Sequence, residues 1–411
     1  MRRGVVAVFA AVLALVFVLG ATGMAGAGPA RIFPEALQGR AALEALGDRL
    51  PAVAAAQGST ASELGRILRT DRTAWLDRDA RLFYVERAAS GTEPSSDASV
   101  ANAPATAEPY GYTATGVPIF HSLPGAMNVL YLDFDGETIS GTAWNVGTVD
   151  PLEAVPFDRD GDVTTFSDDE RSHITGTWLR VAEDYAPFAV DVTTEEPAAF
   201  GPTTGRVLIT SNTDANGNPM PYPDAGGVAY VGVFGRADYP TYYSPALVYA
   251  DQLFSAEYNI AEAASHEFGH NVGLHHDGTS TAAYYYGAGT STQATSWAPI
   301  MGVGYYKNVT KFNNGDYPDA NNHEDDLTIV GSKLGRVADD VGATQGTAAG
   351  LTVTASTVAG AGLVNDSTDQ DTWGFQTTGG TVSLSVSPFV RGYGTSGGNL
   401  DVKATLVDAA G

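Results

Sequence analysis

The sequence predicts an α+β fold centred on residues 118–336, and three observations predict it. Short apolar, β-branched runs at 128–134, 188–194, 206–211, 228–234 and 246–250 read as strands. Ser167-Asp168-Asp169-Glu170 is a capping box, and Ile174, Trp178, Val181 and Tyr185 follow it at helical spacing. Residues 256–272 form a second helical pattern that ends in glycine. The order is therefore strand, helix, four strands, helix. A shorter helix is expected at about 324–334, capped near Asn322.

The flanking segments have different textures. Arg2-Arg3, an apolar run from Val5 to Leu19 and Ala25-Gly26-Ala27 read as a secretory signal over 1–27, with an uncleaved anchor as the alternative. Residues 28–87 read as a small module, with helices at 35–46 and 62–68 and two short strands around a polar turn at 75–85. The second helix has caps available in Ser59-Thr60-Ala61-Ser62-Glu63. Residues 88–117 are rich in Ala, Ser, Thr and Pro and read as a linker. A module, a linker and a chemistry-bearing domain suggest a propeptide; an N-terminal accessory domain is the other reading. Beyond residue 337, alternation at 351–355 and 382–386 reads as β-sandwich material, expected to be incomplete at Gly411.

Composition narrows the function classes. The chain has 411 residues, no cysteine and a formal net charge of −25. Without a basic footprint, nucleic acid is excluded as the expected partner. No segment after the signal is expected to span a membrane. A secreted chain without disulfides relies on core size or bound metal.

The most specific string is His266-Glu267-Phe268-Gly269-His270-Asn271-Val272-Gly273-Leu274-His275-His276, which is H-E-x-x-H-x-x-G-x-x-H. On a helix, His266 and His270 lie one turn apart on one face. Zinc favours nitrogen ligands in a tetrahedron, and a catalytic site keeps one position open. Glu267, beside the first ligand, can take a proton from an attacking water. Gly273 lets the chain leave the helix in a left-handed conformation, and the turn brings back His276. Only His276 has the G-x-x-H spacing, so His275 is expected to point elsewhere.

This motif resembles the metzincin metallopeptidases. With Asn271 and with Asp277 after the third histidine, it is most similar to the reprolysin (adamalysin) branch. The resemblance implies a twisted mixed five-stranded sheet with two long helices, a small irregular lower subdomain and an edge strand that aligns peptide substrate. The edge strand is expected at 228–234. It implies Zn2+ on His266, His270 and His276, Glu267 as the general base, and a Met-turn, for which Ala298-Pro299-Ile300-Met301-Gly302 is the candidate. Asp277 is either the branch's structural carboxylate, bonding near the Met-turn, or an ordinary turn residue. A tyrosine two residues past the methionine occurs in some branches; Val303 stands there, so neither Tyr305 nor Tyr306 is assigned a role. Residues 369–375 and 399–402 resemble the bacterial pre-peptidase C-terminal domain, with a generic sandwich as the alternative.

A possible Ca2+ loop is Asp158-Arg159-Asp160-Gly161-Asp162, whose Asp158, Asp160 and Asp162 alternate as calcium ligands do. Val163 stands where such loops carry glycine, and a polar turn before a capped helix is the competing reading. His121, His173 and His323 lack ligand spacing. The expectation as a whole is a secreted zinc endopeptidase acting on protein or peptide substrates. The rival is a non-proteolytic secreted binding protein with a structural zinc site, which Glu267 argues against.

Overall fold

A computed structural model describes residues 31–89, 107–386 apart from 292 and 294, 399–400 and 402–408. The expected signal at 1–27 and most of the expected linker lie outside the described residues. Among those described, no helix is long and apolar enough to cross a membrane.

The chain is mixed α+β, with six α-helices among the described residues and one dominant sheet. The N-terminal module runs β1 (Leu37–Gln38), α1 (Gly39–Leu46), α2 (Leu50–Ala56), α3 (Ala61–Thr70), β2 (Ala74–Leu76) and β3 (Leu82–Arg87). Thr60 caps α3, accepting from Glu63 N at 3.1 Å while the Glu63 carboxylate returns to Thr60 N. Two short pieces follow, β4 (Gly111–Tyr112) and β5 (Pro118–Ile119). They pair antiparallel, so the C-terminal end of the expected linker is a small ladder.

The central region supplies β6 (Asn128–Asp133), the hairpin β7 (Glu137–Ile139) and β8 (Leu152–Ala154), α4 (Asp168–Asp184), β9 (Val190–Thr193), β10 (Thr204–Thr210), β11 (Ala225–Tyr230), β12 (Ala246–Tyr249) and α5 (Glu257–Val272). Five strands lie in the order β11-β12-β10-β6-β9. The last four run parallel, and β11 is antiparallel at their edge. The sheet does not stop there. β3 pairs antiparallel with the outer edge of β11, and β2 and β1 extend it to eight strands. The N-terminal module is therefore welded to the central sheet rather than standing apart, because β3 satisfies an edge that would otherwise present unpaired backbone groups.

The expected capping box holds: Glu170 Oε2 accepts from Ser167 N at 2.7 Å, and Ser167 Oγ accepts from Glu170 N at 3.4 Å. α5 packs across β10, β11 and β12, and α4 lies beside it, joined by the Arg180–Glu257 ion pair at 2.9 Å. The expected edge strand at 228–234 is displaced; β11 is Ala225–Tyr230, and a turn follows it. The central core runs from Val117 to Leu334 and takes in Phe83 of β3, and a smaller core in the module takes in Val231 of the central region.

The lower region holds β13 (Trp297–Pro299), paired with β14 (Val309–Lys311), and α6 (Asp326–Leu334). The cap of α6 is Asp325, accepting from Thr328 N at 3.1 Å, not Asn322, which binds Glu324 N instead. Beyond it come β15 (Ala349–Gly350), β16 (Thr352–Thr354), β17 (Thr357–Ala359) and β18 (Trp373–Gly374), forming two two-stranded ladders. No sandwich forms among the described residues. Val382, Leu384 and Val386 alternate as expected but are exposed and join no strand.

Candidate metal centre

α5 carries His266 and His270 on the face turned toward the end of β11. Gly273 ends the helix at φ +116°, and its amide donates back to Gly269 O at 3.1 Å. The left-handed turn reverses the chain and returns His276 to the other two imidazoles. His270 Nε2 and His276 Nε2 lie 3.2 Å apart. All three histidines are tied at Nδ1: His266 to Ile300 O at 2.7 Å, His270 to Leu274 O at 2.8 Å and His276 to Asp71 Oδ2 at 2.6 Å. Each tie leaves Nε2 turned inward as a potential ligand atom.

A fourth residue joins them, and sequence reasoning missed it. Glu86, on β3, places Oε1 2.9 Å from His276 Nε2 and 3.6 Å from His270 Nε2, and Oε2 3.8 Å from His266 Nε2. Glu86, His266, His270 and His276 form a buried group that could hold a metal ion. The Tyr284 hydroxyl donates to Glu86 Oε2. Tyr84, two residues before Glu86 on the same face of β3, lays its ring over His270 and His276 at centroid distances of 4.5 and 4.0 Å.

The fit of a cation is tested by what the protein groups leave unmet. His266 Nε2 and both carboxylate oxygens of Glu267 are buried without a hydrogen-bond partner. Buried polar atoms without partners are costly. Glu267 is completely buried, its carboxylate pressed against Gly227 of β11, where a Cβ would sit 2.1 Å from Oε1. Burial and then the charge of Glu86 push the Glu267 carboxyl well above the usual range. Burial opposes charge on His276, yet Glu86 and Asp71 outweigh it and push its pKa up to about 10. Burial would raise the Glu86 carboxyl, but the charge of His276 and the neighbouring imidazoles outweigh it and hold it well below the ordinary range. A proton shared between a carboxylate and an imidazole is what a divalent cation replaces, so this set fits a metal.

Met301 and Asp277 lie close beneath the site. Met301 is fully buried, its sulfur 2.6 Å from where a Cβ of Gly269 would lie. The glycine inside the motif thus admits the methionine under the helix. Asp277 N donates to Met301 O at 2.8 Å, tying the segment that carries His276 to the turn at Met301. That bond is made by the backbone; the buried Asp277 carboxylate has no hydrogen-bond partner, and burial, then Glu324, raise its pKa to about 7. His275 points away, as its spacing implies, to Glu324 Oε1 at 2.7 Å.

No family model matches the chain, and neither a curated protein nor a solved structure does.

The expected calcium loop is rearranged. Carboxylates of Asp158, Asp160 and Glu170 lie within 4.8 Å of one another, and Asp162 is not among them. Asp162 instead accepts from Thr164 N and Thr165 Oγ1 at 3.1 Å each. Asp158 accepts from Gly161 N, Asp160 from Asp162 N, and Glu170 from Arg159 N and Ser167 N. These bonds account for a polar turn leading into a capped helix.

Proposed function

We propose that the chain is a secreted zinc-dependent endopeptidase resembling the metzincins, nearest the reprolysin branch. One observation carries the reading: three inward-facing imidazole nitrogens converge beside a buried Glu267 whose carboxylate has no partner. Imidazole and carboxylate donors suit zinc, which when bound acidifies water and polarises a carbonyl. His266, His270 and His276 hold the ion. Glu267 accepts a proton from the attacking water at its carboxylate and delivers it to the leaving amine. β11, the outermost of the five central strands once β3 leaves it, aligns an extended peptide by strand addition. Residues 28–87 act as a propeptide, released by cleavage in 88–117.

One observation favours a second reading. Glu86 gives the site four protein ligands, and closed four-ligand sites are structural. A secreted binding protein with a structural zinc would be built this way. Glu267 speaks against it, because a structural site has no use for a buried, unpartnered carboxylate beside the ion.

The test uses a proteome-derived peptide library, incubated with the intact chain and with chain nicked in 88–117 and separated from residues 28–87, with and without chelator. The nicked preparation is expected to cleave peptides in a chelator-sensitive way. Metal-loaded chain that cleaves nothing in either form would make the site structural.

A further inference from the structure

The N-terminal module does more than dock near the centre. β3 runs antiparallel along the outer edge of β11, with Phe83 opposite Tyr230, Tyr84 opposite Ala229, Val85 opposite Val228 and Arg87 opposite Ala225. Between the last two pairs the register shifts, so Glu86 lies across from Gly226 and Gly227. Successive side chains on a strand alternate faces. Phe83 points to one face, against Trp144 and Tyr230 at centroid distances of 6.0 and 5.2 Å. Tyr84 and Glu86 point to the other, onto the three histidines. His266, Glu267, His270 and His276 are all at most 6% exposed, so the centre is shut while β3 is in place.

We propose that Glu86 is the fourth ligand of the metal and that β3 occupies the groove where an extended peptide substrate binds, so that the docked module keeps the enzyme latent. The proposal rests on the metallopeptidase reading above. The edge that would align a substrate by strand addition is the one β3 uses, in the antiparallel sense. The carboxylate stands where a catalytic site leaves its position for water and substrate. In a chain with no cysteine, a thiolate cannot fill that position, and an acidic side chain can.

The same module also prepares the ligands it blocks. Asp71 holds His276 through Nδ1, and Thr73 in turn steadies Asp71, its Oγ1 donating to Asp71 Oδ1 at 2.6 Å. Tyr284, from the central region, fixes the second oxygen of Glu86. Metal can therefore be held in the latent chain, with every ligand oriented, before any substrate can enter.

The test uses the full chain loaded with Co2+, whose visible spectrum reports the ligands. Wild type, Glu86→Ala and Glu86→Gln are titrated with acetohydroxamate, a small bidentate metal binder, and assayed for peptide hydrolysis in the same samples. Glu86→Gln keeps the shape and hydrogen bonding of the side chain, so it separates loss of the ligand from a folding defect. The wild-type spectrum is expected to be unchanged by hydroxamate, while both variants change, and hydrolysis in Glu86→Ala rises about tenfold or more as a larger share of molecules becomes competent to bind peptide. Equal hydroxamate response in all three proteins would overturn Glu86 as a ligand. Unchanged hydrolysis in variants that do accept hydroxamate would overturn latency and leave a structural site. A wild-type chain that holds no cobalt would bring down the metal reading itself, and the proposal with it.

Discussion

The two flanks of the central sheet have met opposite fates. The N-terminal module adds β1, β2 and β3 to it, and β3 is buried on both faces, with Phe83 and Tyr84 each at most 1% exposed. The segment beyond residue 337 makes only two-stranded ladders, and Val353, Val382, Leu384 and Val386 are exposed. Both segments carry strand-like alternation in sequence. The difference is a partner. β11 offers β3 an open antiparallel edge and a packed aromatic face, whereas Val382–Val386 finds neither among the described residues. Alternation says that a segment can pair; the available edge decides whether it does.

Substitutions can break this comparison. The largest effect is expected in catalysis, at a residue both flanks leave in place: Glu267→Gln should lower peptide hydrolysis by about 10²–10⁴-fold in processed chain, with metal content unchanged. Near-normal turnover there would remove the general base from the account. At the welded flank, Phe83→Ala should destabilise the docked module by about 3–5 kcal/mol, as for a fully buried aromatic, read as earlier urea-induced release of the module and protease sensitivity of β3. A loss no larger than that of an exposed residue would mean that the module is merely resting on β11. Asp71→Asn removes the charged partner of His276 and should weaken metal binding in the full chain by about 10–100-fold, measured by competition with a chromophoric chelator. The smallest effect belongs to the loose flank: Leu384→Ser should change stability by about 0.5 kcal/mol or less. A large effect there would show that the C-terminal segment is covered in solution, and the contrast between the flanks would fail.

Much of the centre was legible because its constraints are local. His266 and His270 are fixed by helical spacing, Gly273 by the reversal that follows, and Ser167 and Glu170 by capping chemistry three residues apart. Met301 was found by its turn, though Gly269, which makes room for it, was not singled out. Glu86 and Asp71 could not be read the same way, since each meets His276 across some two hundred residues through the pairing of β3 with β11. A faint signal existed: the second of the two strands expected at 75–85 stops one residue short of Glu86, at the end of an apolar run. The edge strand slipped because Gly226 and Gly227 look like strand breakers. Gly227 is there because the Glu267 carboxylate leaves no space for a side chain. The eight-stranded sheet was invisible for the same reason, as nothing in the sequence of 28–87 says which edge it will meet.

The central claim is that His266, His270 and His276, and not His275, hold one metal ion. Elemental analysis of the purified chain and of two variants tests it most directly. One zinc per chain is expected in wild type, most of it lost in His276→Ala and retained in His275→Ala, whose imidazole turns to Glu324. Zinc lost from His275→Ala and kept by His276→Ala, or no zinc in the wild-type chain, would contradict it.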